Sequence, residues 1–376
     1  MFKSHKTHIF LLKLDKFFTN FVKIIFLMAK RITIREIAEQ AGVSPGTVDR
    51  ILHNRGNVSK RSRAAVEKVL SATGYAGDEY FAATAKPCKL VVLTPSSTIG
   101  DYWSEVYEGI ESALEEFSYP GISLNYFHYN QFDVYSCLSV QKLLLQSRPD
   151  AVIIGPTFLE EAQDFCSELE KEAIPYVFVD SLIPETRPLA SFSADQNFCG
   201  KAMAHILSAI TLPGSKIAVF ESRRSGARFS SNSLARGDGF LEYFKEIGRG
   251  GDIIDTFYTS TIPSENEQTI KDLLHLHSDL GGIAVLNSRG SSIAELLEKE
   301  GRSDIKLISF DLTMRNVEFL RNGSIKALLC QHPHRQGYLA CSTLVRYIMQ
   351  GINPELVHNH MPIDIVIKET LDFYKE

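Results

Sequence analysis

Arg50 stands in "SPGTVDRILHN", residues 44–54, a stretch whose residue types could read a polyanion. A guanidinium is a planar fork, and on an exposed helix it can take guanine O6 and N7 together. The elements needed to hold it there are legible around it. Thr33 and Glu36 have capping-box spacing, in which the hydroxyl takes the third amide and the carboxylate reaches back to the cap. Ile37, Ala38 and Ala41 follow on one face, and Gly42 can take the left-handed conformation that ends a helix. Ser44 then suits a second N-cap and Pro45 a first helical position. Val48, Ile51 and Leu52 form the buried stripe of that second helix, leaving Pro45, Gly46, Asp49, Arg50 and His53 exposed. Two helices joined by so short a turn cross steeply, as in a helix-turn-helix, although an ordinary surface αα-hairpin has the same outline.

Charge placement supports a polyanion partner for this piece alone. The chain has 376 residues and a net charge of −5. Residues 28–74 hold nine basic and four acidic side chains, a local +5, which leaves about −10 for the rest. Ser59 caps a third helix with Val66, Val69 and Leu70 inward, closing a head of about fifty residues, and "AGDEYFAATAKPCK" reads as a linker.

Beyond residue 88 the pattern changes. "KLVVL", "AVIIG", "YVFVD", "KIAVF", "GIAVL" and "KLISF" are nearly continuous apolar runs. Between them lie segments of helical period at 102–117, 133–146, 159–171, 198–210, 291–299 and 335–349. Continuous apolar strands alternating with helices imply parallel sheets covered on both faces. About 290 residues suit two such sheets. Ligands of these sheets bind beyond the carboxyl ends of the strands. The candidates there are residues 94–97, Asp180, residues 222–224, Asn287 and Asp311, although Asp311 could instead cap the helix that follows it.

Other chemistries find little support. The six cysteines are scattered without a C-x-x-C, as for free thiols in a reducing cytoplasm. Three H-x-H pairs (275/277, 332/334, 358/360) have no accompanying ligand set, so neither a metal site nor a cofactor is expected. G-x-G-x-x-G, G-x-x-x-x-G-K-[ST] and G-x-S-x-G do not occur, and no enzyme activity is expected. In residues 1–27, Lys13, Asp15, Lys16 and Lys23 break the apolar stretch, which fits neither a signal peptide nor a membrane span. These residues read as an extension upstream of a start at Met28, with an amphipathic membrane anchor as the alternative.

The head, with "VSKRSRAAVEKVLSATGY", closely resembles that of the lactose/galactose-repressor (LacI/GalR) family. The resemblance continues in family order through "DYWSEVYEGIESALEEF", "PYVFVDSLIP", "SADQNFCGKAMAHIL", "LARGDGFLEYF", "AVLNSRG", "LISFDLT" and "GSIKALLCQHPHRQGYLA". It implies an all-α helix-turn-helix head (28–75), a hinge (76–88) and a two-lobed, type I periplasmic-binding-protein-like α/β core (89–376). Lobe 1 would take about 89–193 and 333–360, and lobe 2 about 194–332 and 361–376.

The implied function is a cytoplasmic, homodimeric transcription regulator. It would bind a pseudopalindromic double-stranded operator under control of a small effector, a carbohydrate. A sugar-binding transport protein or an enzyme on the same scaffold is the alternative. The resemblance gives DNA-reading roles to Pro45, Gly46 and Arg50. It gives backbone roles around Thr47, His53, Asn54, Ser59 and Arg63, and the caps Thr33 and Ser44 are counted with this face. It places Arg236, Asn287, Asp311 and Gln331, with Asp180, in the cleft, and Tyr102 and Trp103 as aromatic walls, although Trp103 could be core. The hinge departs from the family pattern. Asp78, Glu79 and Thr84 stand where an Asn-Arg pair and an apolar wedge are usual, so minor-groove insertion is not expected.

Overall fold

The computed structural model describes residues 33–52, 58–73, 87–117, 121–223, 230–259 and 262–374. The chain divides into two compact units, 1–86 and 87–376, each described by itself.

In the first unit, α1 (Ile34–Ala41), α2 (Pro45–Leu52) and α3 (Lys60–Thr73) enclose a small core of Ile37, Ala38, Val48, Ile51, Leu52, Val66 and Leu70. The capping box forms as read. The Glu36 amide donates to the Thr33 hydroxyl at 3.3 Å, and the Thr33 amide donates to the Glu36 carboxylate at 2.7 Å. Gly42 ends α1 at φ +65°, and Ser59 caps α3. His53, Asn54, Asp78, Glu79, Thr84 and residues 1–27 lie outside the described residues.

The second unit runs β1 (Cys88–Pro95), α4 (Tyr102–Phe117), β2 (Ile122–Tyr129), α5 (Val134–Gln146), β3 (Ala151–Ile154), α6 (Leu159–Lys171), β4 (Tyr176–Val179) and β5 (Ala190–Ser193). It continues with α7 (Gln196–Ile210), β6 (Lys216–Arg223), α8 (Ser231–Glu246), β7 (Ile253–Thr259), α9 (Pro263–Leu276), β8 (Leu280–Val285), α10 (Gly290–Lys299), β9 (Lys306–Phe310), α11 (Met314–Asn322) and β10 (Ile325–Cys330). It ends with α12 (Pro333–Gln350), β11 (His358–His360) and β12 (Asp364–Val366).

Lobe 1 is the sheet β11-β5-β4-β3-β1-β2, and lobe 2 is β12-β10-β9-β8-β6-β7. The central strands carry unbroken apolar side chains buried on both faces, as in "AVII" and "YVFV". The chain passes between lobes three times, after β5, β10 and β11.

The two crossover helices are pressed onto their lobes by glycines. A Cβ on Gly109 of α4 would lie 1.9 Å from the His334 carbonyl oxygen of α12, and one on Gly337 2.1 Å from that of Val106. In lobe 2, Gly200 of α7 and Gly239 of α8 stand in the same relation to the Arg236 and Asn197 oxygens, each at 2.0 Å.

Helices read from 198 and 335 begin earlier, at Gln196 and Pro333. Asp195 caps the former by accepting from the Phe198 amide, and Pro333 needs no amide in the first turn of the latter. The helices α9 and α11 and the strands β2, β5, β7, β10, β11 and β12 escape the sequence reading.

Candidate functional site

The head presents α2 outward. Pro45, Gly46 and Arg50 are exposed, and Val48, Ile51 and Leu52 face the head's core. The Ser44 hydroxyl accepts from the Thr47 amide at 3.2 Å and lies 2.9 Å from the Thr47 hydroxyl, so these two residues start the helix. Thr33 and Ser59 are exposed caps, and Arg63 is half-buried on α3. Within α2 itself the long cationic fork is Arg50, and the first turn carries almost no bulk.

In the core, the strand ends of both lobes meet in a cleft with a cavity of about 180 Å³. That is below the ~300–1,000 Å³ of drug-sized pockets and suits a small polar molecule. Asp180 and Asp311 follow β4 and β9 directly, and each is left-handed, at φ +71° and +62°. Aspartate tolerates this conformation better than most residues. It turns the chain sharply at the strand end, where each side chain reaches the cleft.

Arg236 on α8 is 3% exposed. Its Nε donates to Gln196 Oε1, its Nη1 to the Leu286 carbonyl and its Nη2 to Gln331 Oε1, all at 2.7 Å. Its plane lies 3.9 Å above the centroid of the Phe310 ring. A fork so held is aimed before any ligand arrives.

Gln331, at the second lobe crossing, donates its Nε2 to both Asp311 carboxylate oxygens at 3.2 and 3.1 Å. Burial pushes the Asp311 carboxyl up to about 7, against the downward pull of Arg236 and Gln331. Asp311 does not cap α11. Thr313 does, accepting from the Asn316 amide at 3.3 Å. Asn287 exchanges hydrogen bonds with the Tyr258 hydroxyl at 2.9 and 2.7 Å.

Lobe 1 supplies the aromatic walls. Tyr102 and Trp103 are edge to face at 5.2 Å, and Trp103 belongs both to the lobe core and to the cleft lining. A Cβ on Gly155 would come within 2.4 Å of the Trp103 ring, so glycine there admits the indole. Burial, then the Asp180 and Asp311 charges, push the Tyr102 hydroxyl well above its ordinary range.

The Tyr102 hydroxyl lies against the Asp180 carboxylate, whereas Ser222 Oγ, also buried in the lining, has no hydrogen bond among the described residues. An unsatisfied buried hydroxyl costs about 1–3 kcal/mol. A hydroxylated ligand would remove that cost.

The structure thus brings Tyr102, Trp103, Asp180, Arg236, Asn287, Asp311 and Gln331 around one cleft. Sequence reasoning missed Phe132, Asn232, Gln196 and Gln336. Gln336 accepts from the Asp180 amide at 2.8 Å and donates to the Gln331 carbonyl at 2.9 Å, joining the strand end to the crossing. Asn232 lies four residues before Arg236 on one helix face, a spacing that could have revealed it. The glutamines carry no such local signal. Among the described residues, no His/Cys/Asp/Glu group has a metal-holding arrangement, and no helix is long and apolar enough to cross a membrane.

Residues 33–78 match the family model described as bacterial regulatory proteins, lacI family, and residues 90–351 match that of the periplasmic binding protein domain. The chain is 23% identical over 286 residues to the ribose operon repressor of Halalkalibacterium halodurans, covering 74% of this chain and 80% of that one. It is 26% identical over 298 residues to the sucrose operon repressor of Lactococcus lactis, covering 77% and 85%. Among solved structures it is similar to a LacI transcriptional regulator from Bacteroides fragilis, with TM-score 0.73, 29% identity, and 77% of this chain and all of that one covered. A glucose-galactose binding protein from Geobacillus stearothermophilus shares the fold at TM-score 0.65 and 21% identity, over 76% of this chain and 99% of that one. The chain belongs to the lacI family of bacterial regulatory proteins: a DNA-binding, ligand-modulated transcription regulator whose core is a periplasmic binding protein domain.

Proposed function

We propose that this regulator binds a pseudopalindromic operator as a homodimer in the cytoplasm, represses there, and responds to a carbohydrate held between its lobes. The observation that carries this reading is the presence, in one chain, of an exposed Arg50 helix and a cleft lined by hydroxyls and carboxylates around a pre-aimed Arg236. Arg236 and Asp311 grip vicinal hydroxyls, the guanidinium donating and the carboxylate accepting. Tyr102 and Trp103 cover the C–H face of the ring. Asn287 and Gln331 complete the polar lining.

On DNA, Arg50 reads a guanine. Pro45 and Gly46 let the helix come close, and Thr33, Ser44, Thr47, His53, Asn54, Ser59 and Arg63 serve the phosphate backbone. One head makes few contacts, so two heads on a symmetric site are required for tight specific binding. Closure of the lobes on the sugar shifts a two-state equilibrium, by about 1–3 kcal/mol of coupling, that the dimer passes to the heads.

The test is selection from a randomised duplex library by the full chain, followed by a thermal-shift screen against neutral monosaccharides and disaccharides. A two-fold symmetric selected site, lost in Arg50→Ala, and a sugar-dependent shift, lost in Arg236→Ala, support the reading. An asymmetric single half-site with no sugar response refutes it.

A further inference from the structure

Asp180 belongs to lobe 1 and Asn232 to lobe 2, yet they are joined. Asn232 Nδ2 donates to Asp180 Oδ2 at 2.9 Å and to the Asp180 carbonyl at 3.2 Å. Asn232 Oδ1 accepts from Ser181 Oγ at 2.9 Å. Asn232 and Ser181 are buried, 8% and 2% exposed, and Asp180 beside them is half-buried.

Asp180 is set in advance. Its amide donates to the Phe192 carbonyl at 3.1 Å and to Gln336, while its own carbonyl also accepts from Gln196 at 3.3 Å. Asn232 is set as well, one turn before Arg236 on a helix pinned by Gly200 and Gly239. Other contacts that cross the cleft are weaker in kind. The Met314 amide donates to the Gly100 carbonyl at 2.9 Å at the mouth, and Arg289 lies 5.8 Å over the Phe132 ring. The Asn232 joint alone among these pairs a fixed amide with a carboxylate, a charge-assisted bond, and does so in a partly buried place.

We propose that Asn232, with Asp180 and Ser181, is an interlobe clasp that sets the balance between open and closed core. Its bonds run from protein to protein, so they favour closure whatever sugar is chosen. A ligand then has to supply only the remainder of the closing energy. Arg236 and Asn232 thereby divide the work of one helix face: the first holds the ligand side of the cleft, the second holds the lobes together.

The experiment follows lobe separation in the full chain by single-molecule FRET, with dyes on Lys142→Cys of α5 and Ser264→Cys of α9. The native cysteines are buried among the described residues, so labelling is selective. Asn232→Ala shifts the open-to-closed ratio about tenfold or more toward open, as expected for losing a hydrogen bond to a charged group. Ser181→Ala, a milder change, shifts it about two- to fivefold.

Asn232→Asp places a second carboxylate against Asp180, so that variant is open at pH 8 and recloses at pH 5, where the pair shares a proton. Tyr102, Arg236 and Asp311 are the other ionisable groups facing this point, and the wild type over the same pH range supplies their baseline. Wild-type distributions in both Asn232→Ala and Ser181→Ala overturn the proposal. So does an Asn232→Asp variant equally open at both pH values, because that result reports lost packing instead of a clasp. If the Asn232 variants fail to fold by near-UV circular dichroism, Ser181→Ala decides alone, and an unchanged ratio there overturns the clasp.

Discussion

The two lobes of the core share one plan and use it for different ends. Read from the outer edge, β2-β1-β3-β4-β5 and β7-β6-β8-β9-β10 are the same order, and each lobe packs a crossover helix on its first helix through glycines. Asp180 and Asp311 occupy equivalent strand ends, each left-handed, each donating its amide to the next strand, at 3.1 Å to Phe192 and 2.9 Å to Leu329. Their carboxylates then part company. Asp311 is engaged by Gln331, and Asp180 is engaged by the opposite lobe through Asn232.

The linings differ in the same sense. Lobe 1 offers Tyr102, Trp103 and Phe132, whereas lobe 2 offers Arg236, Arg289 and Arg315 with a run of serines. A repeated fold fixes where a side chain stands, and the partner placed opposite it decides its role.

The largest effect expected from breaking this likeness is at the glycine crossings. Gly109→Ala and Gly200→Ala each force a methyl group to within about 2 Å of a carbonyl oxygen, 1.9 Å in lobe 1 and 2.0 Å in lobe 2. Each variant loses about 3 kcal/mol or more, because backbone must move on both sides. Urea denaturation of the full chain measures it. Near-equal losses mean the two crossings are equivalent; a lobe that tolerates its alanine with under about 1 kcal/mol ends the parallel.

Arg236→Ala comes next, at about 2–4 kcal/mol, since it strands the Leu286 carbonyl and removes the charge opposing Asp311. It also abolishes the sugar-dependent thermal shift.

Acidity separates the lobes further. Asp311 and Glu221, each pushed up to about 7 chiefly by burial, both belong to lobe 2. A carboxyl whose folded value is raised lends stability below its unfolded value, near 4, and that stability is lost as pH rises through about 7. The wild type is therefore expected to lose stability between pH 4 and 7. Asp311→Asn flattens part of that fall, and adding Glu221→Gln flattens more. Denaturation midpoints at pH 4.5 and 7.5 check this, and a fall unchanged in the double variant removes lobe 2 as its source.

How much of this was legible follows from burial. "KLVVL", "AVIIG" and "KLISF" announce themselves because both faces are covered. The edge strand "ISLNYFHY" does not, because one side is half-exposed and mixes polar with aromatic residues. In "SNSLARGDGFLEYFKE" two glycines lower helix propensity and blur the helical period, although Gly239 is what lets α7 approach. The rule that ligands sit beyond strand ends reached Asp180, Asn287 and Asp311, and family resemblance reached Arg236 and Gln331. Gln196 and Gln336 were illegible because each is placed by a partner more than a hundred residues away, Gln331 for the first and Asp180 for the second.

The smallest expected effect tests whether the aromatic lobe and the cationic lobe meet as a pair. The Arg289 guanidinium lies 5.8 Å from the Phe132 centroid, across the cleft mouth. A partly exposed cation–π contact is worth about 0.5–1 kcal/mol, or roughly two- to fivefold in the closed population. Phe132→Leu keeps apolar bulk and loses the π face. Arg289→Gln removes the full charge and keeps a planar polar head. A double-mutant cycle on the FRET-measured open-to-closed ratio isolates their coupling. Coupling of about 0.5–1 kcal/mol shows that the two lobes complement each other across the mouth. If the two single changes simply add, Phe132 acts as an apolar wall and Arg289 as a solvated charge, and closure rests on contacts deeper in the cleft.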